Sequence, residues 1–418
     1  MMTKNEKIKA TLAATRGKRK SQDILVFKVK VDMSSLSKRQ REELKMMFVE
    51  GKWFYNDQIS RLKDGRFGKE NVLRIKQVTH FDKDKNEILS DLEYLPAFMK
   101  QTLECRIKSS LKTMSTLRKR GFQKRGELKF IRELTALDLR QYEKTYSFRS
   151  RSKMKIAGVH GLVRVNGTSQ FWDIPNLEFA NAKLLDTAKG YYVAVTCFIP
   201  KGQKKTDMAT LDKVVGVDFG CQTSLTTSDG EKINASFGEG ERLKRLQRRL
   251  GRKEKSSNRR RKLINLIRKE HERIVAKRED LSNKIVHDLL RNRIVVIQDE
   301  NLTGWSKSGH GKAVQHSVLG RVKAKLLKRK NVFVLDRFIP TTKLCPHCGH
   351  VNRELSLRDR IFVCPRCGQT EDRDVHAAKN MVWMYENLVG WDTAELTLVE
   401  FKTSMSRMFS SEAQVMER

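Results

Sequence analysis

The stretch Val214-Val215-Gly216-Val217-Asp218-Phe219-Gly220 decides how the second half of this chain is read. A short, unbroken apolar run that ends in an acid and a glycine describes a buried strand with a carboxylate at its tip and a turn behind it. Moving forward, a second strand is expected over 224–227 and a third over 232–236, parted by the Ser228-Asp229-Gly230 turn, so the region opens as a meander. Residues 294–297 form another buried run leading into Gln298-Asp299-Glu300, and 332–335 another, after a basic helix ending near Lys330. Strands alternating with helices predict an α/β domain.

Between these strands, residues 241–280 carry seventeen Lys or Arg against six acids. Leu243, Leu246 and Leu250, then Leu263, Ile267, Ile274, Leu281 and Ile285, repeat at helical spacing, and Ser256-Ser257-Asn258 parts them into two helices. Charge runs are usually solvated faces. An excess of eleven positive charges on one element favours phosphate contact instead, with Arg242, Lys244, Arg245, Arg248, Arg249, Arg259, Arg260 and Arg261 as candidates.

Moving backward, a loop at 202–212 leads to an N-terminal half of different character. A strand is expected over 24–31, and Ser37 with Gln40 forms a capping box ahead of Leu44, Met47, Phe48, Tyr55 and Ile59. A second helix runs over 96–120: Pro96 suits its first turn, Met99, Leu103, Ile107 and Leu111 share a face, and Gly121 stops it. Strand-like runs at 128–131, 146–149, 154–157, 162–165 and 191–199 read as a small β-barrel fed by this helical insertion. Residues 1–20 hold seven Lys or Arg against Glu6 alone and read as a disordered or backbone-binding arm.

The whole chain has 418 residues, room for two or three domains, with 86 Lys plus Arg against 49 Asp plus Glu, a net charge of +37. Such an excess calls for a polyanion. Nucleic acid is favoured over membrane, because no apolar stretch approaches the roughly 18 residues of a spanning helix and no signal-peptide core is seen. Of seven cysteines, Cys105, Cys197 and Cys221 are scattered and four form two pairs, the pattern of a reducing cytoplasm with one metal site.

Those pairs, Cys345-Pro346-His347-Cys348 and Cys364-Pro365-Arg366-Cys367, are fifteen residues apart and each precedes a glycine. Four thiolates fill a tetrahedral shell and leave no place for water, so one structural Zn²⁺ is expected, with His347 and His350 spare. Three acids, Asp218, Glu300 and Asp374, lie at two strand ends and just before a helix at 375–385. Brought to one point, they would supply the hard oxygen ligands that Mg²⁺ requires, and two such ions activate water and stabilise the leaving oxygen of a phosphodiester. Acids, metal and positive charge together describe a nuclease.

In order along the chain, Val215-Gly216-Val217-Asp218-Phe219-Gly220, Val296-Ile297-Gln298-Asp299-Glu300-Asn301-Leu302 with Gly304-Trp305, Asp336-Arg337-Phe338, and Asp372-Arg373-Asp374-Val375-His376-Ala377-Ala378-Lys379-Asn380 resemble the TnpB nucleases of insertion sequences and the miniature type V CRISPR effectors similar to them. The resemblance is specific over 214–381 and looser before it. It implies a multidomain α+β protein: a wedge β-barrel at 21–212 with a helical recognition insertion at about 37–121; an RNase H-like RuvC domain at 213–340 carrying the basic hairpin 241–290; a zinc ribbon at 341–369; a last RuvC segment at 370–390; and a tail at 391–418. It further implies RNA-guided DNA cleavage in a prokaryotic cytoplasm, with guide RNA and target DNA as partners, and no membrane. Asp218, Glu300 and Asp374 take the catalytic roles, and monomer and homodimer both stay open. Many relatives carry Glu where this chain has Gln298, and Asn is commoner at the place of His376. A cleavage-impaired RNA-guided regulator and a transposase acting without RNA are the alternatives.

Overall fold

The structure is a computed structural model, described over residues 3–81, 86–121, 127–201, 213–220, 223–237, 240–254, 257–307, 311–356, 358–388 and 395–396. It divides into two units, Met1–Lys204 and Lys205–Arg418.

The first unit is built on a seven-stranded sheet in the order 136–139, 178–187, 190–200, 22–31, 163–166, 153–156, 146–150. All its ladders are antiparallel. Tyr146, on one edge strand, donates its hydroxyl to the Ala180 carbonyl 2.9 Å away, in the strand next to the other edge, so the sheet curls almost into a barrel. The Ser37 capping box forms as expected and opens helix Lys38–Lys63. This helix packs against Ala97–Lys119. Leu44, Met47, Met99, Leu103 and Ile107 from the two helices join Val29, Val31, Val193 and Val195 of the sheet in one buried core.

Three features depart from the expected pattern. Residues 128–131 form no strand, because the Asn56 side chain satisfies both backbone groups of Ile131, at 2.8 and 3.0 Å. The basic arm is helical over Lys4–Lys20, started by a Thr3–Glu6 capping box. Lys18 and Arg19 tie its end to Glu178 at 2.9 and 2.7 Å, and Arg19 lies 3.7 Å from the Phe198 ring centroid. Strands 136–139 and 178–187 and the hairpin of 77–81 with 87–91 are additions to the sequence reading.

In the second unit the sheet order is 232–233, 225–227, 213–219, 293–298, 332–335, 395–396. The first three strands are antiparallel neighbours and the ladders from 213–219 onward are parallel. Side chains alternate between two helical layers. Val215, Val217, Val295 and Ile297 pack with Ile285 and Leu289 of helix Asn258–Leu290 and Val322 and Leu326 of helix Leu319–Leu326. Val296, Phe333 and Leu335 face Met381 and Met384 of helix Arg373–Leu388 instead. The third strand of the meander is shorter than expected, only Lys232–Ile233, and Ser236 bridges to Ser317 instead. Cys221, the loop at 202–212 and the tail at 391–418, 395–396 apart, lie outside the described residues.

Candidate active site

Asp218 is the next-to-last residue of strand Lys213–Phe219, and its neighbour Val217 stands opposite Ile297 on the parallel strand Arg293–Gln298. The two strands therefore end side by side, and Glu300 leaves the second of them beside Asp218. The third acid arrives on a helix. Asp374 is the second residue of Arg373–Leu388, and Gly216 explains why that helix lies so close. A Cβ built on Gly216 would sit 1.9 Å from the Ala378 carbonyl oxygen, so only glycine permits the contact. Gly216 and Asp218 are two apart on a strand face, and Asp374 and Ala378 four apart on a helix face. Seating one pair sets the other pair against each other. The electrostatics record the result: Asp218 is driven well above the ordinary carboxylate range, by burial first and then by the charges of Asp374 and Glu300, with Arg373 pulling the other way. Burial also raises Glu300.

Neighbouring polar residues are spent on other tasks. Asp372 caps the helix by accepting from the Asp374 and Val375 amides at 3.0 and 3.1 Å, and it pairs with Lys232 at 2.8 Å, which leaves the Asp374 carboxylate out of the cap. Asp299 is held by Lys323 at 2.7 Å and by Arg337, and these two cations depress its pKa. The Lys323 ammonium also donates to the Glu300 carbonyl at 2.6 Å. Glu300 itself has no side-chain hydrogen bond or ion pair among the described residues.

Gln298 is the residue whose role sequence reasoning missed. It is 4% exposed, donates to the carbonyls of Asp336 and Ile339 at 3.0 and 2.7 Å, and accepts from the Thr341 hydroxyl at 2.8 Å. All of its amide capacity but one lone pair is therefore committed to anchoring the chain that enters the thiol cluster. The strand ends at Gln298, and the Glu300 amide turns back to the Gln298 carbonyl at 2.8 Å.

The four thiols of Cys345, Cys348, Cys364 and Cys367 all lie within 4.8 Å of one another, with closest approaches of 3.5 and 3.6 Å. Zinc–sulfur bonds of about 2.3 Å in a tetrahedron set sulfur edges near 3.8 Å, so the donor set fits one Zn²⁺. Gly349 and Gly368, at φ +65° and +77°, turn each knuckle and donate to the Cys345 and Cys364 carbonyls at 2.9 Å. Among the described residues no other His, Cys, Asp and Glu side chains form so tight a cluster, the three acids included. The ribbon is seated on the acid-bearing helix. His376 stacks on Phe362 at 3.8 Å between ring centroids and meets the Leu344 carbonyl at 2.8 Å, while Asn380 donates to the Thr341 and Leu344 carbonyls, both at 2.7 Å. His376 thus serves ribbon packing.

The basic hairpin comprises helices Glu241–Gly251 and Asn258–Leu290. Arg245, Arg248, Arg249, Arg259 and Arg261 are exposed and form no ion pair among the described residues. Lys244 pairs with Glu241 at 2.9 Å, and Arg242 reaches buried Glu270 at 3.5 Å. Arg260 belongs to the hairpin's own closure: it donates to the Leu250 and Lys253 carbonyls at 2.7 and 3.1 Å.

Comparison with known proteins follows the same division of the second unit. The OrfB_IS605 model, described as "Probable transposase", matches 199–300, which holds Asp218 and Glu300, and the Cas12f1-like TNB domain matches 320–381, which holds the thiols and Asp374. A Streptomyces pristinaespiralis protein named "Putative RNA-guided DNA endonuclease" is 32% identical over 207 residues, 47% of this chain and 50% of that one. The Escherichia coli K12 protein "Putative RNA-guided DNA endonuclease InsQ" is 24% identical over 304 residues, 66% of this chain and 73% of its own length. The match thus spans half of the first relative and about three quarters of the second. The structure of the mini-RNA-guided endonuclease CRISPR-Cas phi3 aligns over 91% of this chain and 96% of that one at TM-score 0.41 and 10% identity. With two family models in tandem over the acids and the thiols, and relatives named as RNA-guided DNA endonucleases over part of the sequence, the chain is similar to TnpB-type proteins and to the miniature type V effectors.

Proposed function

We propose that the chain is an RNA-guided DNA endonuclease with one RuvC-type site. The observation that carries this reading is the convergence of Asp218, Glu300 and Asp374, from two parallel strand ends and one helix start seated on Gly216, where Asp374 and Glu300 both raise the cost of ionising Asp218. A sheet of three antiparallel strands continued by parallel ones supports the RNase H-like assignment, and the relatives' names supply RNA guidance.

Three carboxylates are hard oxygen donors and fit Mg²⁺. Bound there, Mg²⁺ supplies an activated water and charge stabilisation at the leaving oxygen. The chain's own residues do the rest. Gly216 admits the Asp374 helix, Lys323 fixes the backbone at Glu300, and the ribbon, with one Zn²⁺, braces the helix. The exposed hairpin arginines hold nucleic-acid backbones without reading sequence, which falls to guide RNA paired with target DNA beside a short flanking motif read by the N-terminal half. Such a protein works with the DNA in a prokaryotic cytoplasm.

The test is purified protein with its copurifying RNA sequenced, a matching target and Mg²⁺. Glu300→Gln is expected to abolish cleavage and leave guided binding intact, and Asp299→Asn to be milder. Cutting by Glu300→Gln with a dead Asp299→Asn would overturn the assignment. Strand-transfer products without RNA would favour the transposase that the "Probable transposase" description names. Binding of guided target with no cutting in Mg²⁺ or Mn²⁺ would favour the cleavage-impaired regulator.

A further inference from the structure

Among the described residues, Phe338 has the most exposed large hydrophobic side chain, at 70%. Single exposed apolar side chains are common and ordinarily carry no meaning. Three observations set this one apart. It occupies the third position of the turn Asp336-Arg337-Phe338-Ile339, closed by the Ile339 amide on the Asp336 carbonyl at 3.2 Å, a place where polar residues or glycine are usual. The turn cannot relax to bury the ring: Gln298 holds the carbonyls at both of its ends, the Phe338 amide donates to the Asp336 carboxylate at 2.8 Å, and Ile339, 3% exposed, already fills the core position. Its location is also informative. The adjacent Arg337 pairs with Asp299, the residue before Glu300, so the turn that carries the ring lies beside the strand end that bears Glu300, next to a guanidinium that is 42% exposed.

We propose that Phe338 is a stacking platform for one base of the single DNA strand entering the acid cluster, with Arg337 beside it for the adjoining phosphate. A flat ring suits every base, so it positions a strand without reading it, as a guided nuclease requires. This rests on the nuclease reading above, and its test is chosen to stand apart from cleavage. Full-length, zinc-loaded Glu300→Gln protein is titrated with short single-stranded DNA of mixed sequence at fixed salt, alone and with Phe338→Ala or Phe338→Trp added. Phe338→Ala is expected to weaken binding by about 5- to 150-fold, the worth of one base–aromatic stack, and Phe338→Trp to preserve it. An abasic site scanned along the strand should cause the same loss at one position in the parent and no further loss in Phe338→Ala. Unchanged binding by Phe338→Ala, or losses that simply add at every abasic position, would overturn the proposal. If the wild type never cuts guided DNA while the coupling appears, the nuclease reading fails and the platform stands.

Discussion

A single amide at position 298 shows how a neighbour's chemistry outweighs a family habit. Its two N–H groups meet two carbonyl oxygens, so Gln298→Glu, which installs the acid commoner in relatives, would replace both donors by a charge facing acceptors. We expect a cost of about 1–3 kcal/mol, read as a lower denaturation midpoint, and no gain in Mg²⁺ affinity by calorimetry. Tighter Mg²⁺ binding would show that position 298 reaches the acids. The sequence could not reveal this role, because both carbonyls belong to a loop about forty residues further on, whose course only the folded chain defines. Asp218, in contrast, was legible, since a buried apolar run ending in an acid leaves that carboxylate at a strand tip.

Elements were legible where local rules and tertiary packing agree. Strands 213–219, 293–298 and 332–335 are apolar runs, and helix 38–63 announces itself by its capping box. Strand 178–187 was missed because a register shift between Phe179 and Ala182 breaks the period of two. The hairpin of 77–81 and 87–91 buries only Val78 and leaves Phe81 and Leu89 exposed, so it shows no alternating apolar face to find. The ribbon carries a prediction of its own. Metal analysis should find one zinc per chain, and chelation or Cys364→Ser should speed amide exchange at 361–363 and 373–376 and reduce cleavage through Asp374; folded, active protein without zinc would refute the bracing role. Helix Lys4–Lys20 carries another. Arg19 first and Lys18 next hold Glu178 at a pKa of about 2, below the ordinary 4.5, so its contribution is full above about pH 4.5 and is lost as the pH falls toward 2. Exposed pairs contribute less than about 1 kcal/mol, so Glu178→Gln should raise trypsin cleavage at Lys18 and Arg19 by up to about 5-fold at neutral pH. An unchanged cleavage rate would show that the Phe198 contact alone holds the helix.

For the molecule as a whole, a net charge of +37 makes ionic strength the dominant variable. Reversing Arg245, Arg248, Arg249, Arg259 and Arg261 should weaken nucleic-acid binding and flatten its log–log salt dependence by about 0.7 to 0.9 per lost phosphate contact, while the fold stays intact. An unaltered slope would make the hairpin a solvated face. Arg260→Ala should behave differently and loosen the hairpin itself, because that guanidinium closes it. The seating of helix Arg373–Leu388 on Gly216 also has a temporal side. Asp374 follows Asp218 by 156 residues, so at ordinary elongation rates of roughly 5–20 residues per second the ribosome delivers the last acid about 8 to 30 s after the first. Over the later part of that interval, once residue 290 has been made, the nascent chain has its basic hairpin while its carboxylate set is still incomplete. On the proposed reading, translation order arms the site last, and a message broken before codon 374 is expected to yield a chain that binds nucleic acid and does not cut it.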